Sequence, residues 1–229
     1  MLKDGRMAAI CAMVREGAVV CDVGTDHAII PAELLKSGRC RRAVITDISA
    51  ASLEKGIKNI QKQGLSERTS AFLADGTVGV NLDDVTDVII AGMGGELITG
   101  IISRDERLKT RGMRLVLQPM SRAHLLRAYL SENGFSVLRE VKAVSGRRVY
   151  AVINAEYTGK AEKTGIREMY LGKYAESQNE AERGYAEKEL QALTARLTGI
   201  DASDKSAKYA AEREEVLEII EEIQKFLRK

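Results

Sequence analysis

Residues 18–31, AVVCDVGTDHAIIP, constrain the fold of this chain more than any other stretch. The apolar run Ala18-Val19-Val20-Cys21 breaks at Asp22, Gly24 and Asp26, and a second apolar segment follows at once. A short apolar run of this kind, ending in a glycine turn that opens a helix, reads as a buried parallel strand delivering its turn to the ligand-binding edge of a doubly wound sheet. Gly24 permits close approach to the backbone, and Asp22 places negative charge beside it. A pyrophosphate calls for several glycines and no carboxylate at that turn. Two acids flank the single glycine here, so the ligand is read as a cation bearing hydroxyls.

Three further strand ends repeat the pattern. Ala43-Val44-Ile45-Thr46 ends in Asp47, whose carboxylate can accept from both hydroxyls of a ribose, with Ile48 beside it. Ala71-Phe72-Leu73-Ala74 leads to Asp75-Gly76, an acid suited to accept from an adenine amino group. Val88-Ile89-Ile90 leads to Ala91-Gly92-Met93-Gly94-Gly95, read as a glycine-rich turn opening another helix, with Met93 available to pack on an adenine. S-adenosylmethionine, with its ammonium, sulfonium and ribose, meets all of these demands. The expected cofactor-binding residues are therefore Asp22, Gly24, Asp47, Ile48, Asp75, Gly76, Ala91, Gly92 and Met93.

The segments DVGTDHAIIP and IIAGMGGELI, with LVLQP at 115–119, resemble the bacterial tRNA (adenine-22)-N1-methyltransferase family. The resemblance covers roughly residues 1–157 in motif order and the tail more loosely. It implies a class I Rossmann-like domain followed by a helical carboxyl-terminal domain, and methyl transfer from S-adenosylmethionine to adenine N1 at position 22 of tRNA. Three positions depart from the family pattern: Ile29 stands where an aromatic is usual, Thr46-Asp47 where Gly-Glu is usual, and Met120 where Asn is usual. Asp47 still keeps a carboxylate at the ribose position. Asp26, one step beyond the cofactor loop, is the candidate catalytic residue, with helix capping as its competing role. His27 is read as structural or as a support for the residues that touch the ligand.

Strands are expected near 18–23, 43–47, 69–74, 86–91, 113–118, 135–144 and 147–155. Helices are expected at 1–15, 28–37, 50–63, 95–103 and 121–132. Only Ser145-Gly146 separates the last two strands, too few residues for a crossover, so they pair antiparallel. The expected fold class is α/β: a mostly parallel seven-stranded class I methyltransferase sheet with one antiparallel hairpin. Residues 158–229 lack strand alternation, and apolar residues recur at Leu190, Leu193 and Leu197 and again at Val216, Ile219, Ile220, Ile223 and Leu227. This predicts a coiled-coil-like helical hairpin turning at 199–204, and so two domains, 1–157 and 158–229.

Charge narrows the partners. The net charge is +2, but residues 1–157 hold 22 Lys/Arg against 18 Asp/Glu. Basic clusters stand at Arg39–Arg42 and at 104–114, followed by Arg122, Arg127, Arg147 and Arg148. Such patches suit transient contact with tRNA phosphates. The helical arm suits gripping the tRNA body or pairing with a second copy as a homodimer. With 3 Cys, no CxxC and 2 His, no metal site is expected. No apolar run approaches a membrane span and no signal peptide is evident, so a cytoplasmic location is expected. A class I methyltransferase acting on another RNA, a small molecule or a protein is the nearest alternative. A noncatalytic RNA-binding module would not need the strand-end acids, and a dehydrogenase would need G-x-G-x-x-G.

Overall fold

The computed structural model describes residues 4–110, 112–173, 179–202 and 209–229. Leu2 of the leading helix, Arg111 of the second basic cluster and Ser203-Asp204 of the arm's turn lie outside the described residues.

A seven-stranded sheet forms the body: β1 (Ala18–Val23), β2 (Cys40–Asp47), β3 (Thr69–Leu73), β4 (Asp87–Gly94), β5 (Arg114–Ser121), β6 (Phe135–Ser145) and β7 (Arg148–Tyr157). Their order is β3-β2-β1-β4-β5-β7-β6. The first five strands are parallel, and β7 runs antiparallel to both β5 and β6. Every residue of β1 is buried, as expected of a strand covered on both faces. Its pleat sends Val20 to one face and Cys21 to the other, and the neighbouring strands follow. Val20, Ile45, Ile89, Val116 and Val152 share one core, while Cys21, Val88, Ile90, Leu115 and Ile153 share the second.

Helices cover both faces: α1 (Gly5–Met13), α2 (Ile29–Lys36), α3 (Ala50–Lys62), α4 (Gly95–Arg104) and α5 (Ala123–Glu132). Ser49 caps α3 by accepting from the Ser52 amide at 3.3 Å, and Gly64 follows its end in the left-handed region. Beyond the sheet lie α6 (Ile166–Leu171), α7 (Glu180–Asp201) and α8 (Ala210–Leu227), which build a third core from Tyr170, Leu171, Leu193, Ile200, Ile219 and Ile223 among others. The pairs Arg196–Glu212 and Arg213–Asp201 tie α7 and α8 together as an antiparallel hairpin.

Four expectations need correction. The AGMGG segment is not a free turn: β4 continues through it, pairing Met93 with Pro119 and Gly94 with Ser121 across two register shifts. Bulged pairing keeps the strand's backbone groups bonded while re-aiming its side chains. β2 begins at Cys40, because Cys40 and Arg42 pair with Ala18 and Val19 of β1. α7 runs through Gly199 and Ile200 to Asp201, since burial of Ile200 against the arm's core overrides the weak propensity of Gly199. The short helix α6 was not expected at all.

Candidate active site

The carboxyl ends of β1, β2, β3 and β4 lie along one edge, and hydrogen bonds stitch the first three together. The amides of Gly24 and Thr25 donate to the Thr46 carbonyl at 2.8 and 3.0 Å, and the Ala74 amide donates to the Asp47 carbonyl at 3.0 Å. The Thr46 hydroxyl donates to the Gly76 carbonyl at 2.9 Å, fixing the turn after β3 as well. Gly24 has φ +74°, and any Cβ there would collide with the methyl of Met93, which lies over the turn. Glycine is required at that point twice, by backbone conformation and by space.

A cavity of about 310 Å³ opens at this edge, and Asp22, Gly24, Asp26, Ala91 and Gly92 line it. Five of the expected site residues are thus brought into one enclosure. Asp22 is only 6% exposed. Burial pushes its carboxyl up to about 7, and the Asp47 carboxylate adds to the rise, while the nearby Thr25 hydroxyl opposes it. Asp26 lies beside Lys55 and His27, each 3.3 Å away. It does not cap α2. The cap residue is Ala28, held at φ +49° with no side-chain cap bond, so the competing role for Asp26 is not taken. His27 is exposed, and its carbonyl accepts from Asn59 at 2.7 Å.

The remaining expected residues follow along the edge outside this cavity. The Asp47 carboxylate accepts from the Ser49 amide at 2.7 Å, which orients it at the end of β2. Ile48 is 72% exposed, an apolar face turned to solvent beside that acid. Asp75 forms a two-pronged pair with Arg104, both contacts at 3.1 Å. Each Asp75 oxygen retains a lone pair for a further donor. Gly76, at φ +67°, packs against Ile101.

Sequence reasoning missed two features. Arg6, on α1, lines the same cavity, and its guanidinium donates to the Gln118 side-chain carbonyl at 3.1 Å. Gln118 is fully buried and also accepts from the Gly92 amide at 3.1 Å, tying β4, β5 and α1 together. The second feature is a buried charge cluster where the arm meets the sheet. Arg127 contacts Glu140 at 2.7 Å, Lys142 contacts the same carboxylate at 2.6 Å, and Arg127 also donates to the Tyr185 hydroxyl at 3.2 Å and the Met169 carbonyl at 2.6 Å. Despite its burial, the two cations hold the Glu140 carboxyl below its ordinary value. Arg127, expected among the basic surface residues, is instead 3% exposed, because its partners come from distant elements that no local pattern marks.

The basic clusters do not share one edge. Arg39–Arg42 stand at the start of β2, roughly 20 Å from the Asp47 end at a strand rise of about 3.3 Å per residue. Arg147 and Arg148 stand at the β6–β7 turn. The register of β7 on β5 brings that turn to the cavity edge.

Residues 3–153 match a family model described as a methyltransferase domain. The strand order, the acid-flanked glycine turn and this match define the chain as a member of the methyltransferase domain family. Within that family it is similar to tRNA (adenine-22)-N1-methyltransferases. It is 28% identical over 151 residues to the tRNA (adenine(22)-N(1))-methyltransferase of Bacillus subtilis, spanning 66% of this chain and 63% of that relative, a little under two thirds of its length. The structure of Streptococcus pneumoniae Sp1610 in complex with S-adenosyl-L-methionine is 26% identical with TM-score 0.83, covering 97% of this chain and 98% of that one. The structure of the Bacillus subtilis m1A22 enzyme TrmK, 23% identical with TM-score 0.88 and 99% coverage of each chain, shares the fold. That fold includes the helical arm. No described helix is long and apolar enough to cross a membrane.

Proposed function

We propose that this chain transfers a methyl group from S-adenosylmethionine to N1 of adenine 22 in tRNA, in the cytoplasm. The observation that carries the reading is the alignment of Asp22, Gly24, Asp47, Ile48 and Asp75 along one edge of a methyltransferase sheet, in the chemical order such a cofactor needs. The residues fit the group. Asp22 is a buried carboxyl group that forms no ion pair among the described residues, Asp47 is an oriented acceptor for ribose hydroxyls, and Asp75 has acceptor capacity for an adenine amino group. Ile48 and Met93 offer apolar faces to the adenine ring. When bound, the cofactor supplies an electrophilic methyl on a positively charged sulfur.

Adenine N1 carries a free lone pair at neutral pH, so no strong base is needed to create the nucleophile. The protein's work is to hold the base in line and to exclude water, a gain from proximity and orientation. The base must first leave its stack at a cost of a few kcal/mol. Asp26 stands at the mouth of the cavity with Lys55 and His27 beside it. It accepts from the adenine N6 amino group and eases loss of the proton that methylation acidifies. The arm meets the tRNA body rather than a second copy. Its apolar residues turn inward, and among its described residues Leu217 alone is a large exposed hydrophobic.

The test is methyl transfer from labelled S-adenosylmethionine into unmodified tRNA, followed by nuclease mapping. Label at N1 of position 22, lost when that adenine is replaced by guanine, is the expected result. Label on another nucleoside, or on protein alone, would replace the substrate while leaving the fold's chemistry in place.

A further inference from the structure

The strand order divides the carboxyl edge in two. Asp22, Asp47 and Asp75, the acids assigned to the cofactor, belong to β1, β2 and the turn after β3. The ends of β4 and β5 are left for the acceptor. There Gly94 pairs with Ser121, two positions beyond Gly92 at the cavity wall. Arg122 comes next, at φ +51° and ψ +40°, in the left-handed region that a residue with a Cβ rarely occupies. Among the described residues the one other non-glycine at positive φ is Ala28, which lines the cavity. Strain of this kind lasts only where the surroundings fix it, and it gathers at functional sites.

The turn at Arg122 is fixed from two sides. Helix α4 approaches so closely at Gly95 that a Cβ there would collide with the Arg122 carbonyl oxygen. On the other side Tyr170 of α6 stacks on His124, with ring centroids 4.6 Å apart and planes 8° from parallel. The helical region beyond the sheet thus braces a turn at the edge where the chemistry takes place.

The stability of the free protein does not require an arginine at this point. Its guanidinium pairs with Glu96 in the first turn of α4, and the two side chains are 59% and 58% exposed. An ion pair so open to water adds little. Nη1 is the nitrogen that donates to Glu96. A phosphate can take two guanidinium N–H groups side by side, the stronger arrangement for an arginine. Every nucleotide of an RNA carries such a phosphate next to its base.

We infer that Arg122 leaves Glu96 and binds a phosphate of the substrate RNA beside the target adenine. The inference rests on the tRNA reading above and adds a residue that holds the target nucleotide. Glu96 is a placeholder, which keeps the guanidinium aimed along the edge until RNA arrives. Tyr170 is a positioning residue, which acts through His124 on the backbone of the turn.

The test is fluorescence titration of the full chain with an unmodified tRNA transcript carrying adenine 22, in the presence of S-adenosylhomocysteine and at several salt concentrations. Asn tolerates the left-handed region better than most residues, so Arg122→Asn preserves the turn. This variant is expected to weaken tRNA binding at least about fivefold and to lower the slope of log affinity against log salt by about one. Its calorimetric affinity for S-adenosylhomocysteine should stay within about twofold of the parent. Arg122→Lys should keep the parent's slope and recover part of the affinity. Glu96→Gln should tighten tRNA binding about threefold in the parent and have almost no effect in the Arg122→Asn background, since the acid competes for that one guanidinium. An unchanged slope in Arg122→Asn would overturn the inference, as would a Glu96→Gln effect that is equal, or absent, in both backgrounds. The tRNA reading survives either result. A parent chain that binds no tRNA would overturn that reading and the inference with it.

Discussion

At the seam between sheet and arm, Arg127 and Lys142 both contact Glu140, whereas at the carboxyl edge Asp22 has no ion-pair partner among the described residues and Arg6 has only Asp4, at 3.9 Å. Both groups are largely withdrawn from water, so both bear the cost of desolvation. At the seam that cost is offset inside the protein, by two ion pairs, a tyrosine hydroxyl and the carbonyls that end α6. At the edge it is left for a ligand to offset. The comparison separates charges that hold the structure together from charges that wait for a partner. Burial alone does not distinguish them; contact does.

The comparison can be broken most decisively at the seam. Glu140→Gln leaves two cations buried against a neutral amide and is expected to cost about 3–5 kcal/mol, read as a lower urea midpoint. Asp22→Asn, an equally conservative change at an equally buried acid, is expected to leave the empty protein as stable as the parent or more so at pH 7.5. If the two variants destabilise alike, the distinction fails.

A smaller effect tests the edge through pH. The folded Asp22 carboxyl titrates near 7 against an ordinary value of 3.8, so between those values the folded chain holds a proton that the unfolded chain has released. Its contribution to stability is fully present below about 4 and is lost as pH rises through about 7, by as much as a few kcal/mol. Subtracting the stability profile of Asp22→Asn from that of the parent isolates this term from His27, Asp26, Asp47 and Arg6 nearby. A flat difference would place a cation on Asp22 in the free protein.

Binding sharpens the contrast further along the edge. Asp47→Ala removes hydrogen bonds from the ribose, each worth roughly 1.5–3 kcal/mol before water compensates, so cofactor affinity is expected to fall at least tenfold by calorimetry. The smallest expected effect concerns tRNA. Replacing Arg147 and Arg148 by Ala should lower the slope of log affinity against log salt by up to about one per lost phosphate contact. The same change at Arg41 and Arg42, on the opposite edge, should leave the slope unaltered. The reverse pattern in fluorescence titrations would move the RNA to the other side of the sheet.

The sheet and its glycine turn were legible because each depends on neighbours in sequence. A buried parallel strand must be apolar, its turn must contain a residue free of Cβ, and a two-residue link forces antiparallel pairing. The positions of Asp22, Asp47 and Asp75 were legible for the same reason, since each lies within two residues of the end of its strand. Arg6 was not. Its meaning depends on Asp4 meeting Ser145 and on Gln118 lying at the end of β5, contacts between residues more than a hundred positions apart. The Arg127 cluster was hidden likewise, and α7 overran Gly199 because the partner that buries Ile200 is itself distant in sequence. Local chemistry marked the candidate edge, and long-range packing decided which side chains stand beside it.

The Asp4–Ser145 contact also sets a clock on synthesis. A ribosome releases α1 first and β6 much later, so Arg6 has nothing to lean on until most of the sheet has emerged. The glycine turn and the first acids are made early, yet the pocket they belong to gains its last wall only when the closing hairpin folds back onto the chain's beginning. A nascent or prematurely ended chain carries the signature residues without a finished site.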